Sequence, residues 1–200
     1  MATEAMATES RQLLSRPERQ ETILRGAAHA FAQSGYAGTS MEDVAAASGI
    51  TKLIVYRHFE SKEELYRAVL QRVADRLTEV FLAGLSRSER RGLGVNTLLT
   101  VAREDPEAFI LMFRHASREP QFESYALEQR ERSVHAASTL LGGSIPDPLI
   151  HQWAAETIVS YLVEAVLNWL DDGDSERDDE FVDRVTDGLH AIHQAWTTRG

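Results

Sequence analysis

Between Thr39 and Lys62 the chain reads as two short helices joined by a tight turn, with a third helix starting at once behind them. Met41, Val44, Ala45 and Ser48 fall at i, i+3, i+4 and i+7, the spacing of one helix face. Thr39 and Ser40 precede this run as caps, and Asp43 stands three residues after Ser40, close to a capping box. Gly49 can take φ > 0, so it ends the helix and turns the chain. Ile50 then acts as an apolar staple, and Thr51 caps a second helix over 52–58. Val55 and Phe59, four apart, face inward; Lys52, Leu53, Tyr56, Arg57 and His58 are left to face outward or sideways. Two helical turns with so many outward polar and aromatic groups hold too little core of their own. Their composition suits a helix that docks into a partner.

Helix-turn-helix units lay their second helix in the major groove of DNA while the first braces it against the backbone. Thr, Ser, Lys, Tyr and His all bond phosphate oxygens. The ordered run Gly49-Ile50-Thr51-Lys52, Val55-Tyr56-Arg57-His58-Phe59 and Ser61-Lys62-Glu63-Glu64-Leu65 resembles the signature of the TetR family of bacterial transcriptional regulators. The likeness is close over residues 17–65; beyond them it rests on helix number and length. It implies that Thr39, Tyr56, His58 and Lys62 lie where the family contacts phosphates, and Ser40 and Arg57 are candidate DNA-binding residues beside them. It places Thr51, Lys52 and Leu53 at the start of the recognition helix, where base edges are reached. Leu53 and Ile54 depart from the family, which commonly has a small residue and a Thr there. Leu53 suits a thymine methyl, and Ile54 has no polar reach, so polar base readout falls to Lys52.

Around this unit the chain divides in three. Residues 1–16, small, polar and aperiodic, are expected to be a disordered arm, with Arg11 and Arg16 as candidate phosphate or minor-groove contacts. Residues 17–62 form a three-helix head, its first helix running over 18–34 from Pro17 with Ile23, Ala27 and Phe31 on one face and Gly35 at its end. Residues 63–200 form a helical body. Leu65, Val69, Val73, Leu77, Val80 and Phe81 make one stripe from the Ser61/Glu64 capping box to about residue 84, a rod running from head into body. A helix near 95–105 follows, then one opened by Pro106 whose Phe109-Ile110-Leu111-Met112-Phe113 is apolar on every side and therefore central. Pro120 is expected to open the next, ending near Leu141, with Phe122, Ala126, Ser133, Ala137 and Leu140 facing in. Two long helices, about 148–171 and 176–197, close the chain. The fold class is all-α, with about nine helices.

The last two helices carry more apolar surface than one core-facing stripe needs: Trp153, Tyr161 and Trp169 on the first, Phe181, Val185, Leu189, Ile192 and Trp196 on the second. That surplus predicts a homodimer closed by a four-helix bundle, and the TetR resemblance implies the same interface. The resemblance also implies a small-molecule effector in the body, for which Phe109, Met112, His115, Tyr125, Trp153, Glu156 and Tyr161 are the candidate contacts. Effector binding would shift two heads that must sit about 34–36 Å apart on successive turns of the duplex.

A formal charge of −10 argues against general nucleic-acid affinity. Residues 1–64 hold 7 Lys and Arg against 9 Asp and Glu, so most of the acid lies in the body and DNA contact is confined to one locally basic face. The absence of cysteine excludes disulfides and thiol chemistry, and fits a cytoplasmic protein. The apolar stretch 149–170 is broken by His151, Gln152, Glu156, Glu164 and Asn168, so it reads as a buried helix and no membrane partner is expected. No catalytic set, metal site or cofactor motif emerges. His190 with His193, and Glu131 with His135, share helix faces without a third ligand. The acidic run 171–180 has its Gly misplaced for a calcium loop and reads as a solvated turn. The function these features predict is a ligand-responsive repressor that binds a palindromic operator as a homodimer. A helical ligand-binding or enzymatic protein whose head no longer binds DNA is the alternative.

Overall fold

A computed structural model describes residues 15–87 and 90–197. Among them nine α-helices and no strands are found. The expected arm lies mostly outside the described residues, Arg11 included. Ser15 and Arg16, however, belong to the first helix. Ser15 caps it through a reciprocal box with Glu18, whose carboxylate accepts from the Ser15 N–H at 2.7 Å.

Helix α1 (Arg16–Gly38) runs straight to Gly35, whose φ of 70° breaks the helical path three residues before its end. Helices α2 (Met41–Ser48) and α3 (Lys52–His58) follow, then α4 (Lys62–Ser86), the 25-residue rod. The body adds α5 (Leu93–Glu104), α6 (Pro106–Ile110), α7 (Glu123–Leu141), α8 (Pro148–Asp172) and α9 (Asp178–Thr197). One continuous apolar core runs from Ile23 in α1 through Val69 and Val73 in α4 to Val166 and Leu167 in α8. The head therefore shares its core with the body.

Three expectations for the body need correcting. The central apolar run does not stay α-helical: after Ile110 it loosens into a π turn, Leu111–His115, closed by Ala116 N–H donating to the Leu111 carbonyl. Phe109, Leu111 and Met112 are buried as expected, while Ile110 and Phe113 are only partly covered. Pro120 opens no helix. It sits second in a turn that Phe122 N–H closes on the Glu119 carbonyl at 2.8 Å, and α7 starts at Glu123. Leu140 faces outward, and Gln129 and Val134 are the buried residues of α7.

The last turn of α5 and the residue after it tie four helices together. Arg103 grips Asp178 of α9 with two bonds, at 2.9 and 2.7 Å. Glu104 receives two bonds from Arg76 of α4, at 2.7 and 2.6 Å. Asp105 caps α6 and pairs with Arg72 of α4, which also reaches Glu21 of α1 at 2.6 Å. Arg72 and Asp105 are largely covered, so solvent screens this pair less than the surface ones. The acidic connection before α9 is also more than a solvated turn: Arg114 clasps Asp171 at 3.1 and 2.6 Å, and Trp169 Nε1 donates to Asp178 at 2.7 Å.

Candidate nucleic-acid interface

The reciprocal cap of α2 forms as expected. Asp43 N–H donates to Ser40 Oγ at 3.2 Å, and the Asp43 carboxylate accepts from Ser40 N–H at 2.8 Å. Gly49 takes the left-handed conformation, φ 64°, and its N–H returns to α2 carbonyls. Close behind, Gly26 of α1 fits against Ser48, where an added Cβ would lie 2.6 Å from the Ser48 nitrogen. This contact seats α2 on α1, and α2 carries α3. Val55 and Phe59 are buried under α3. Thr51 starts α3 through its carbonyl, which accepts from Ile54 and Val55 N–H at 2.9 and 3.1 Å; its hydroxyl makes no capping bond.

The outward side of α3 carries Lys52, Leu53, Tyr56 and Arg57. At 3.6 residues per turn they cover about 140° of the helix circumference. Leu53 is 64% exposed and Tyr56 45%, large apolar surface for a protein to leave in water without use. Lys52 Nζ pairs with Glu42 of α2 and lies 5.6 Å from the centre of the Tyr56 ring. His58 is partly covered. Burial first, then the nearby charges of Arg16 and Arg19, lower its pKa, which favours the neutral ring.

Three residues expected to bind DNA also make contacts within the protein. Thr39 is only 2% exposed, and its single hydroxyl proton is directed at the α1 carbonyls of Ala30 and Gly35, at 3.1 and 2.7 Å. Its role is to close α1. Ser40 is exposed, but its hydroxyl donates to Asp43 at 2.6 Å. Lys62 donates to the Tyr36 carbonyl at 2.7 Å and rests 4.5 Å from the centre of that ring. Lys52, Leu53, Tyr56 and Arg57 are thus brought to one exposed face, with Thr51 exposed at the start of α3, while Thr39, Ser40 and Lys62 make contacts within the scaffold. The sequence reading missed Glu42, whose place in the first turn of α2 gives no sign of a partner ten residues on. It also missed the Gly26–Ser48 contact.

A family profile described as "Bacterial regulatory proteins, tetR family" matches residues 23–69, the stretch that builds this face. Residues 23–69 thus form a TetR-family domain. A 106-residue stretch is 32% identical to the HTH-type transcriptional activator FasR of Mycolicibacterium smegmatis, covering 51% of this chain and 48% of that protein. A 75-residue stretch is 39% identical to the HTH-type transcriptional repressor Rv3405c of Mycobacterium tuberculosis, covering 37% and 40%. The matches thus span about half or less of these relatives. The whole fold is shared with a TetR-like transcriptional regulator from Rhodococcus sp. RHA1 (TM-score 0.76, 22% identity, 94% of this chain and all of that one). It is shared also with AibR, solved in complex with isovaleryl coenzyme A and operator DNA (TM-score 0.66, 22% identity, 86% and 98%).

Of the seven body residues expected to line an effector pocket, Phe109 and Met112 belong to one core cluster and Tyr125 and Tyr161 pack against it. Phe109 and Met112 are core, Phe109 packing 4.6 Å from Phe113. His115 is partly covered, and burial lowers its pKa, with Arg118 and Arg114 adding to the effect. Tyr125 donates to Gln71 at 2.9 Å, and burial pushes its pKa up to about 12. Glu156 pairs with Arg130 at 2.9 Å, Tyr161 reaches the Val185 carbonyl at 3.5 Å, and Trp153 faces outward. A cleft of about 440 Å³ opens instead between α5 and α9, lined by Leu99, Thr100, Arg103 and Asp178 among others. A second of about 500 Å³ lies between α1 and α2. Neither cleft touches any of the seven.

The expected dimer residues divide into two sets. Phe181 and Val185 are buried within the protomer, and Trp169 stacks on Phe181 at 4.8 Å with the planes 8° apart. They belong to the contact of α9 with α5 and α8. Tyr161, Leu189 and Ile192 are partly covered. Trp153 meets Trp196 at 4.8 Å, and beside Trp153 on α8 stand Leu149, 76% exposed, and Ile150. The uncovered apolar surface is therefore concentrated where the start of α8 meets the end of α9. Among the described residues no helix is long and apolar enough to cross a membrane.

Proposed function

We propose that this chain is a ligand-responsive transcriptional regulator: a repressor that grips a palindromic operator as a homodimer and is released by a small molecule. Residues 17–62 bind DNA, and residues 63–200 hold the effector and the partner copy. The observation that carries the reading is the exposed band of Lys52, Leu53, Tyr56 and Arg57 on a short helix braced by α2. A helix so placed offers a cation and an apolar group to base edges and a phenol and a guanidinium to phosphates. The naming of matched relatives as activator and as repressor supports control of transcription. AibR, holding isovaleryl coenzyme A together with operator DNA, supports joint effector and DNA binding on this fold. The uncovered Leu149, Ile150 and Trp153 support a partner copy docked across the start of α8.

The test begins with selection of a duplex from a random pool by the purified protein, followed by anisotropy titrations. Tyr56→Phe and Arg57→Gln should weaken binding about equally on every sequence, whereas Lys52→Met should relax preference at one position. Trp153→Asp should leave a folded monomer in sedimentation and lower operator affinity steeply, since two half-sites then no longer act together. Selection of no sequence above the starting pool would refute the proposal.

A further inference from the structure

Glu42 and Lys52 join the first turns of α2 and α3 through the Lys52 Nζ–Glu42 Oε1 pair, on the face that carries Leu53 and Tyr56. The neighbouring carboxylate, Asp43, is committed to the Ser40 backbone and hydroxyl. Glu42 is therefore the one that meets the lysine. Both side chains are about half exposed, at 51% for Lys52 and 57% for Glu42. A pair so exposed adds little stability. Its presence beside the exposed band calls for another reason.

The geometry supplies one. An ammonium has three N–H donors. One is turned to Glu42, and the 5.6 Å approach to the Tyr56 ring fixes the side of α3 on which the other two project. Drawn to α2 at one end and tethered to its own helix at the other, the lysine head is biased away from sweeping along the backbone of a bound duplex. A Lys free to swing meets phosphates first, because they are the outermost and most charged acceptors. A Lys biased toward the helix start has two donors left for a pair of acceptors deep in the groove, the pattern guanine presents with O6 and N7. The carboxylate's negative charge also repels a phosphate that approaches the lysine head.

We infer that Glu42 is a positioning residue that withholds Lys52 from phosphates and aims it at a base edge, so that sequence discrimination by α3 depends on an acidic residue of α2. This rests on the DNA-binding reading above. With Glu42 replaced, Lys52 gains a phosphate contact and loses its aim. Affinity for any DNA rises while preference falls.

The experiment uses the full chain as wild type, Glu42→Gln, Lys52→Met and the double variant. Each is titrated by anisotropy against the duplex selected by wild type and a scrambled duplex of equal length, between about 50 and 200 mM NaCl. Glu42→Gln should steepen the salt dependence on scrambled DNA by about 0.9 in the log–log slope, one added ion contact. At the low-salt end it should bind scrambled DNA about threefold more tightly, and its preference for the selected duplex should fall about fivefold or more. With Lys52→Met in place, Glu42→Gln should change neither quantity. An unchanged slope and preference in the single variant overturns the inference. So does an effect that persists without Lys52, which would mean that the carboxylate acts on DNA directly. Failure of wild type to select any duplex overturns the underlying DNA-binding reading and is recognised as such before the variants are compared.

Discussion

Tyr66 of α4 is the residue whose alteration tests the physical reading of the head–body junction most sharply. Its ring is 1% exposed and sits among Phe31, Tyr36 and Phe122 at centroid distances of 4.9, 5.3 and 4.3 Å. Its hydroxyl is buried with no hydrogen-bond partner. A buried hydroxyl left unpaired costs about 1–3 kcal/mol. Removing one oxygen leaves a void too small to cost more than about 0.3 kcal/mol. Tyr66→Phe should therefore stabilise the protein by about 1 kcal/mol, against the usual direction for a core substitution. For a chain of this length that is a rise in Tm of about 2–4 °C, read by circular dichroism at pH 7. A second signature follows at high pH. Burial, with Glu119 and Tyr36 adding to it, raises the Tyr66 pKa well above 10.0, so the unfolded chain loses this proton first. Stability from this group is present below pH 10 and is lost as pH rises beyond it; Tyr66→Phe should flatten that alkaline loss. Phe122→Ala is the contrast, since it removes a whole ring that is fully buried and should cost about 3–5 kcal/mol. A fall in Tm for Tyr66→Phe would refute the reasoning, because it would mean the hydroxyl has a partner.

Gly26→Ala should force α1 and α2 apart, since the new Cβ would lie 2.6–2.7 Å from the Ser48 nitrogen, Cα and Cβ. About 1–3 kcal/mol of stability should go, and an unchanged thermal midpoint would show that the two helices separate freely. The depressed pKa of His58 predicts acid sensitivity: as pH falls through the unfolded value of 6.5, the unfolded chain takes a proton that the folded ring resists. His58→Gln should therefore lose less Tm than wild type between about pH 7 and 5, and equal losses would rule out the assignment.

The head was legible because its signals are local. Gly49, the Ser40/Asp43 box and the spacing of Met41, Val44 and Ala45 each fix backbone geometry within a few residues, and each forms as read. What side chains do across longer separations was not legible. Thr39 and Lys62 stand where the family resemblance implies phosphate contacts, yet Thr39 turns back to Ala30 and Lys62 to Tyr36, 26 residues away. Nothing in their own neighbourhood announces those partners. In the body, aromatic content alone does not separate a cavity wall from a packed core, and Phe109 and Met112 are both buried in the core. The surplus apolar surface of the last two helices was real in amount. Trp169, Phe181 and Val185 spend it inside the protomer, and Leu149, Ile150 and Trp153 leave it outside. Pro120 misled because a proline serves a turn's second position as well as a helix's first.

Arg103, Glu104 and Asp105 reach α9, α4 and, through Arg72, α1 from three consecutive positions. Consecutive residues on a helix point about 100° apart, so one residue gained or lost within α5 would rotate all three away from their partners together. Swapping any one of them for another side chain disturbs one link, but changing the residue count disturbs every link at once. The spacing from Leu93 to Asp105 therefore works as a fixed gauge. An insertion or deletion between them should cost more stability than a substitution at any one of the three anchoring positions, however different the residues in between.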